Sequence, residues 1–134
     1  MFSFQITPRF GDIDGLGHVN NNVVPTWFET ARNPFFRYFN KDLDLKQWNL
    51  ILARFEVDFL NQMYYGRDVE IRSWVTRLGR SSFEIYQEAW QDDKIGAKGK
   101  AVLVHFDFAE QKSVPVPGDI KKELEKHFLE TKNS

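Results

Sequence analysis

Val24, Trp27, Phe28, Ala31, Phe35 and Tyr38 fall on one face of a 3.6-residue period, whereas from Ile51 onward apolar side chains tend to recur at every second position. A chain written this way has one amphipathic helix followed by a run of one-sided strands, and each needs a partner for its apolar face. Asn21 or Asn22 is placed to cap the helix start, and Pro25 falls in the first turn, where N–H groups have no intrahelical acceptor. Pro34 removes a bond to the carbonyl of Thr30, so a kink or an end is expected there. Upstream, Phe2, Phe4, Ile6 and Phe10 alternate with Ser3, Gln5, Thr7 and Arg9 as a first strand. Downstream, Ile51, Ala53, Phe55, Val57 and Phe59 read as one face against Arg54, Glu56 and Asp58, the cleanest alternation in the chain. Further strands are predicted over 68–78, 82–91 and 97–108, with turns at 78–81 and 91–94. In the last, Val102, Val104, Phe106 and Phe108 oppose Leu103, His105 and Asp107. Pro115, Pro117 and Gly118 then precede a short helix bearing Ile120, Leu124 and Phe128. The expectation is an α+β fold in which an antiparallel sheet of about five strands is covered by the long helix, all within one domain, 1–134.

Composition narrows the function classes. Eighteen basic and nineteen acidic side chains leave a net charge of −1, so no global field recruits nucleic acid or an acidic membrane. The absence of cysteine removes disulfides, thiol nucleophiles and thiolate metal sites together. Thirteen Phe, four Tyr and four Trp supply flat surface for a core, a subunit interface or an organic ligand. The first residues lack the pattern of a signal peptide, and no segment approaches the ~20 apolar residues of a membrane span, so a cytoplasmic protein is expected.

The chemistry is concentrated between the first strand and the helix. Residues 9–22 hold two carboxylates, one imidazole, three carboxamides and three glycines. Asp12-Ile13-Asp14-Gly15 resembles the opening of a calcium loop, yet Leu16 and Val23 stand where ligands are required. Gly15 and Gly17 lack the third glycine of a dinucleotide turn, and no Walker lysine follows. Asp12, Asp14 and His18 are too few to define a metal site, and none is expected. Ser81 and Ser82 lie in a hairpin turn, not the elbow of a serine hydrolase. A carboxylate ahead of a helix N-terminus is ionised at neutral pH and can deprotonate water or attack an activated carbonyl such as a thioester. Backbone N–H groups nearby would hold the oxyanion. The same Asp and Asn residues also read as plain turn and capping groups, and the residues alone leave both readings open.

The segments Phe10-Gly11-Asp12-Ile13-Asp14-Gly15-Leu16-Gly17-His18-Val19-Asn20-Asn21 and Trp27-Phe28-Glu29-Thr30-Ala31-Arg32 closely resemble hot-dog-fold acyl-CoA thioesterases of the 4-hydroxybenzoyl-CoA thioesterase type. Residues 54–60, 65–71 and 79–83 resemble that family's next strands. The resemblance implies a sheet wrapped around a central helix and hydrolysis of acyl or aryl thioesters of coenzyme A without a cofactor. It puts the nucleophile or general base at Asp14, the carbonyl-polarising N–H at Asn21, and His18 and Asn20 beside them as substrate-binding groups. Val24 stands where relatives often carry a tyrosine, and Glu29 matches a helix carboxylate used in one branch. The resemblance further implies a homodimer or homotetramer with sites between subunits, Trp74, Tyr86 and Trp90 on an outer face suiting further association. Arg54, Arg67, Arg77, Arg80, Lys98 and Lys100 are equivalent candidates for the phosphates of coenzyme A. Two alternatives stand beside this reading: a non-catalytic acyl-CoA-binding or assembly protein, and an acyl-carrier-protein thioesterase. Hot-dog hydratases and dehydratases use other motifs, absent here.

Overall fold

Alternating sequence becomes sheet in the order anticipated, and the computed structural model describes residues 1–130. Strand β1 (Phe2–Ile6) is followed by a 3-10 turn (Phe10–Asp12), helices α1 (Val24–Ala31) and α2 (Asn33–Phe39), and a second 3-10 turn (Leu45–Gln47). Strands β2 (Leu50–Phe59), β3 (Val69–Leu78), β4 (Ser82–Gln91), β5 (Lys94–Asp107) and β6 (Lys112–Ser113) then lead to α3 (Gly118–Glu125). The sheet runs β1-β3-β4-β5-β2, antiparallel throughout, with β6 added to β5. It curls around the helical pair as a hot-dog fold.

The helix lies on the inner face because that face offers either small or apolar groups. Val69, Ile71 and Val75 of β3, Phe83, Ile85 and Ala89 of β4, and Ala97, Ala101 and Leu103 of β5 are all buried. A Cβ added at Gly99 would stand 3.0 Å from the Phe28 ring and 3.1 Å from the Glu56 carbonyl oxygen, so only glycine lets α1 lie this close. The core has two lobes. One gathers Val24, Trp27, Phe28 and Ala31 of α1 with Ile71, Ala89 and Ala97; the other gathers Phe35 and Phe36 of α2 with Val75, Phe83, Ile85, Leu103 and Leu124.

Several sequence expectations are corrected. The helix is two segments meeting at Arg32, as Pro34 requires, and it starts at Val24 with Val23 as N-cap and no side-chain cap from Asn21 or Asn22. Phe10 leaves the strand pattern for the 3-10 turn and is 82% exposed. The β2 face breaks at a bulge between Leu52 and Arg54: Leu50 points inward before it, while Phe55 and Val57 point inward after it. Ala53, at the bulge, is exposed, as is Phe59 at the end of the strand, and β2 is an edge of the sheet. In β5 the inner face is Ala101 and Leu103, not Val102 and Val104. Two-residue β6 had no signal in the periodicity. Trp74, Tyr86 and Trp90 do lie on the outer face, but half-buried: Trp74 stacks on Tyr86 at 5.9 Å, and Trp90 carries Arg72 at 4.5 Å and donates to Glu88.

Overpacking at Gly99 gives the test of this arrangement. Gly99→Ala is expected to destabilise the chain by about 1–3 kcal/mol in urea unfolding, and combining it with Phe28→Leu should cost less than the sum of the two single changes. Strict additivity would show that the ring and the glycine do not meet.

Candidate active site

Two carboxylates two residues apart have different neighbours. Asp12 is 3% exposed. Its Oδ2 accepts from the Arg9 N–H at 2.8 Å and from Arg9 Nε at 3.4 Å, and its Oδ1 accepts from Nη2 at 3.2 Å. Both oxygens serve to lock the 3-10 turn. Asp14 opens a tight reversal: its N–H donates to the His18 carbonyl at 2.8 Å, and its own carbonyl accepts from Gly17 at 3.2 Å. Gly17 has φ +84°, a left-handed conformation that glycine adopts without strain. Asp14 Oδ1 accepts from the N–H of Leu16 at 2.8 Å and of His18 at 3.1 Å, while Oδ2 has no partner among the described residues. The N–H groups of Leu16 and His18 hold the carboxyl below its ordinary 3.8; partial burial opposes this and the His18 ring adds to it. Asp14 is therefore an ionised, half-exposed carboxylate with one oxygen anchored and one open.

The loop then crosses to the helix. His18 bridges to Tyr64, whose ring meets the imidazole edge-on at 5.4 Å, and Val19 donates to the Met63 carbonyl at 2.8 Å. The Asn20 N–H donates to the Asp12 carbonyl at 2.8 Å, and Asn20 Oδ1 accepts from the Asn22 N–H at 2.9 Å. This Asx turn, not an Asn cap on α1, organises the helix entry. The Asn21 N–H finds no acceptor among the described residues. Asn21 also borders a depression of about 310 Å³ walled by Phe59, Leu60, Asn61 and Gln62. So the structure gathers Asp14, His18, Asn20 and Asn21 into one loop, with each of the four at least partly accessible. Of the basic candidates, Arg54 is paired with Glu56 and Arg67 with Asp92, and Lys98 and Lys100 line a hollow on the outer face with Tyr86.

A second polar group does not stand out in the sequence. Arg32, Gln87 and Ser73 are buried between the two lobes of the core. Gln87 Nε2 donates to the Phe28 carbonyl at 2.9 Å and to Ser73 Oγ at 3.0 Å, and Gln87 Oε1 accepts from Arg32 Nη1 at 3.2 Å. The signal was present: Arg32 lies four residues after Phe28 on the apolar stripe, and Gln87 and Ser73 interrupt the inward rows Phe83-Ile85-Ala89 and Ile71-Val75. Glu29, exposed one turn before Arg32, shares with it a groove beside β2.

The model of the thioesterase-like superfamily matches residues 8–124, which takes in this loop, both helices and all of the sheet after β1. The chain belongs to that superfamily. Among solved structures, the thioesterase-like chain is 42% identical to a predicted thioesterase from Bacillus stearothermophilus, with a TM-score of 0.93 and 98% of each chain covered. It is 32% identical to a thioesterase from Thermus thermophilus crystallised with coenzyme A and Zn, with a TM-score of 0.81 over 91% of this chain and 95% of that one. The uncharacterized protein YsmA of Bacillus subtilis strain 168 is 29% identical over 87 residues, 63% of this chain; the match spans 59% of that relative's length.

The Asp14 geometry has a direct readout. Carboxyl-carbon NMR titration should place the Asp14 pKa below 3.8. The stability contributed by its two N–H bonds is then present above the unfolded value and is lost as pH falls through the lower folded value. A pKa at or above 3.8 would show that the two N–H bonds are not made in solution.

Proposed function

We propose that this thioesterase-like chain hydrolyses acyl or aryl thioesters of coenzyme A. The observation that carries the reading is the open Oδ2 of Asp14 in the same short loop as the unpartnered Asn21 N–H. A carboxylate this weak as a base needs an activated electrophile, which a thioester carbonyl is. Asp14 either takes the proton of the attacking water or adds to the carbonyl itself, forming an anhydride that water opens. In both routes negative charge grows on the carbonyl oxygen and the Asn21 N–H stabilises it. The carbon–sulfur bond then breaks, and the thiolate leaves and is protonated. His18 and Asn20 line the approach. The Thermus relative crystallised with coenzyme A supports the choice of thioester.

A single chain leaves this site open on one side. Among the described residues β2 pairs with no strand but β5, and Leu52, Phe59 and Leu60 near its free edge are 45%, 46% and 48% exposed. Phe10 and Leu16, flanking Asp14 in sequence, are exposed as well. A second copy covering these groups would bury apolar surface and exclude water from the thioester, which favours a homodimer or a dimer of dimers.

One observation favours a second reading. The bonds from Leu16 and His18 account for Asp14 as a turn residue without any chemistry, as a non-catalytic acyl-CoA-binding protein would require. Asp14→Asn separates the two, because the amide oxygen can still accept both N–H bonds while the open position loses its charge. Release of free thiol from a panel of acyl-CoA substrates should fall by about 10²–10⁴ with the circular dichroism unchanged. With Asp14 ionised throughout, the wild-type kcat/KM should show no acid limb from this group over roughly pH 5–7. Undiminished turnover in the variant would remove Asp14 from the chemistry.

A further inference from the structure

Arg32 is 2% exposed, yet no carboxylate lies within ion-pair distance of it among the described residues. Nη1 donates to Gln87, whose remaining polar atoms are already engaged by Ser73 and the Phe28 carbonyl. Nε is buried with no hydrogen-bond partner, and Nη2 makes none either among the described residues. Phe55 lies under the guanidinium at 5.2 Å, which softens the charge without satisfying its donors. Burial lowers the Arg32 pKa to about 10, so the group remains a cation at neutral pH. The charge of Glu29 acts on it from a distance, but a buried guanidinium in this condition lacks an anion in direct contact among the described residues.

The groove beside it indicates what kind of anion would fit. It encloses about 290 Å³ between α1, α2 and the β2 edge, and besides Glu29 and Arg32 its walls include Phe36, Trp48, Leu50 and Leu52. These walls suit hydrocarbon, and among the described residues the one buried cation is at Arg32. Nη2, neither bonded nor closed off among the described residues, is the donor that a carboxylate in the groove reaches with a charge-assisted hydrogen bond, while Nε stays sealed behind it. We infer that the groove takes an acyl group ending in a second carboxylate, held by Arg32, so that the substrate is the coenzyme A thioester of a dicarboxylic acid. This rests on the thioesterase reading for its thioester end only. Val24 to Arg32 spans eight residues of helix, about 12 Å, so chain length should matter as well as charge. Glu29 is exposed at the groove and does not bond to Arg32; its like charge would disfavour a carboxylate that stops short of the guanidinium.

Two measurements decide the matter. In the first, ω-carboxyacyl-CoA thioesters of graded length are compared with methyl-ended thioesters of the same length. Wild type should prefer the carboxylate at one length by about tenfold or more in kcat/KM, the scale of one charge-assisted hydrogen bond, and Arg32→Met should abolish the ratio. Arg32→Lys, which keeps the charge on a differently placed donor, should retain part of it, and serves should the methionine variant fail to fold. In the second, isothermal calorimetry on wild type compares free α,ω-dicarboxylates with monocarboxylates of matched length. Preferential dicarboxylate binding without thioester turnover would support the Arg32 site while removing the hydrolase reading. Equal binding of mono- and dicarboxylates by wild type, a preference that survives in Arg32→Met, or an Arg32→Met effect confined to the dimer dissociation constant would each overturn the inference.

Discussion

The carboxamide of Gln87 joins helix to sheet at the point where both change character. Its two N–H bonds reach the Phe28 carbonyl and Ser73, and its oxygen receives Arg32. Ser73, Gln87 and Gly99 are direct cross-strand partners, so one row across β3, β4 and β5 is polar or small while the rows on either side are apolar. That row lies beneath the junction of α1 and α2. A buried amide with all of its donors and its acceptor engaged tolerates little displacement, because sliding the helix would leave several buried polar groups unpaired together. The packing of Phe28 on Gly99 sets how close the helix comes, and the Gln87 bonds set where along the sheet it stops. The position of Asn21 at the head of α1 follows from both.

Much of this was legible in the chain. The order of elements, the antiparallel connections, the break near Pro34 and the concentration of polar groups between β1 and α1 all follow from periodicity and turn chemistry, which are local. What was not legible depends on partners distant in sequence. The alternation of β2 reads as a continuous face, but a bulge needs a pairing strand to define it, and β5 lies more than forty residues away. Asn21 and Asn22 read as helix caps, yet Asn20 accepts from Asn22 in a turn of its own because Asp12 pulls the Asn20 N–H back to the 3-10 segment. Of the two aspartates, Asp12 and Asp14, only the fold reveals that the first is closed off by Arg9. The resemblance puts the chemistry on the second, and the open oxygen of Asp14 is consistent with that.

Arg32 shows a different limit. Its place on the apolar stripe marks it as out of pattern, but a charged residue on such a stripe has several fates: it can snorkel to water, pair with an acid or meet a ligand. Distinguishing them needs the environment. The structure rules out the first by burial and offers no acid for the second among the described residues. Arg32 and Gln87, polar residues on inward positions, are the ones that depart from the local pattern.

The two polar regions place different demands on the rest of the molecule. In the proposed function Asp14 needs a position where a water or a carbonyl can reach it, and a loop beside an unpaired sheet edge supplies that. In the inferred dicarboxylate site Arg32 needs a position where water is scarce, since a guanidinium discriminates between a carboxylate and a methyl group most strongly when the competing solvent is excluded. In that reading α1 serves both, its first turn following the Asn20–Asn22 turn of the loop and its C-cap Arg32 lining the groove, with Phe28 and Ala31 sealed against the sheet between them. A substrate lying along this axis would have its reacting carbon near the open end and its recognition group at the dry one. In the proposed reading, placing the two ends at opposite ends of α1 would tie chain length to reactivity, because an acyl group of the wrong length could not occupy both.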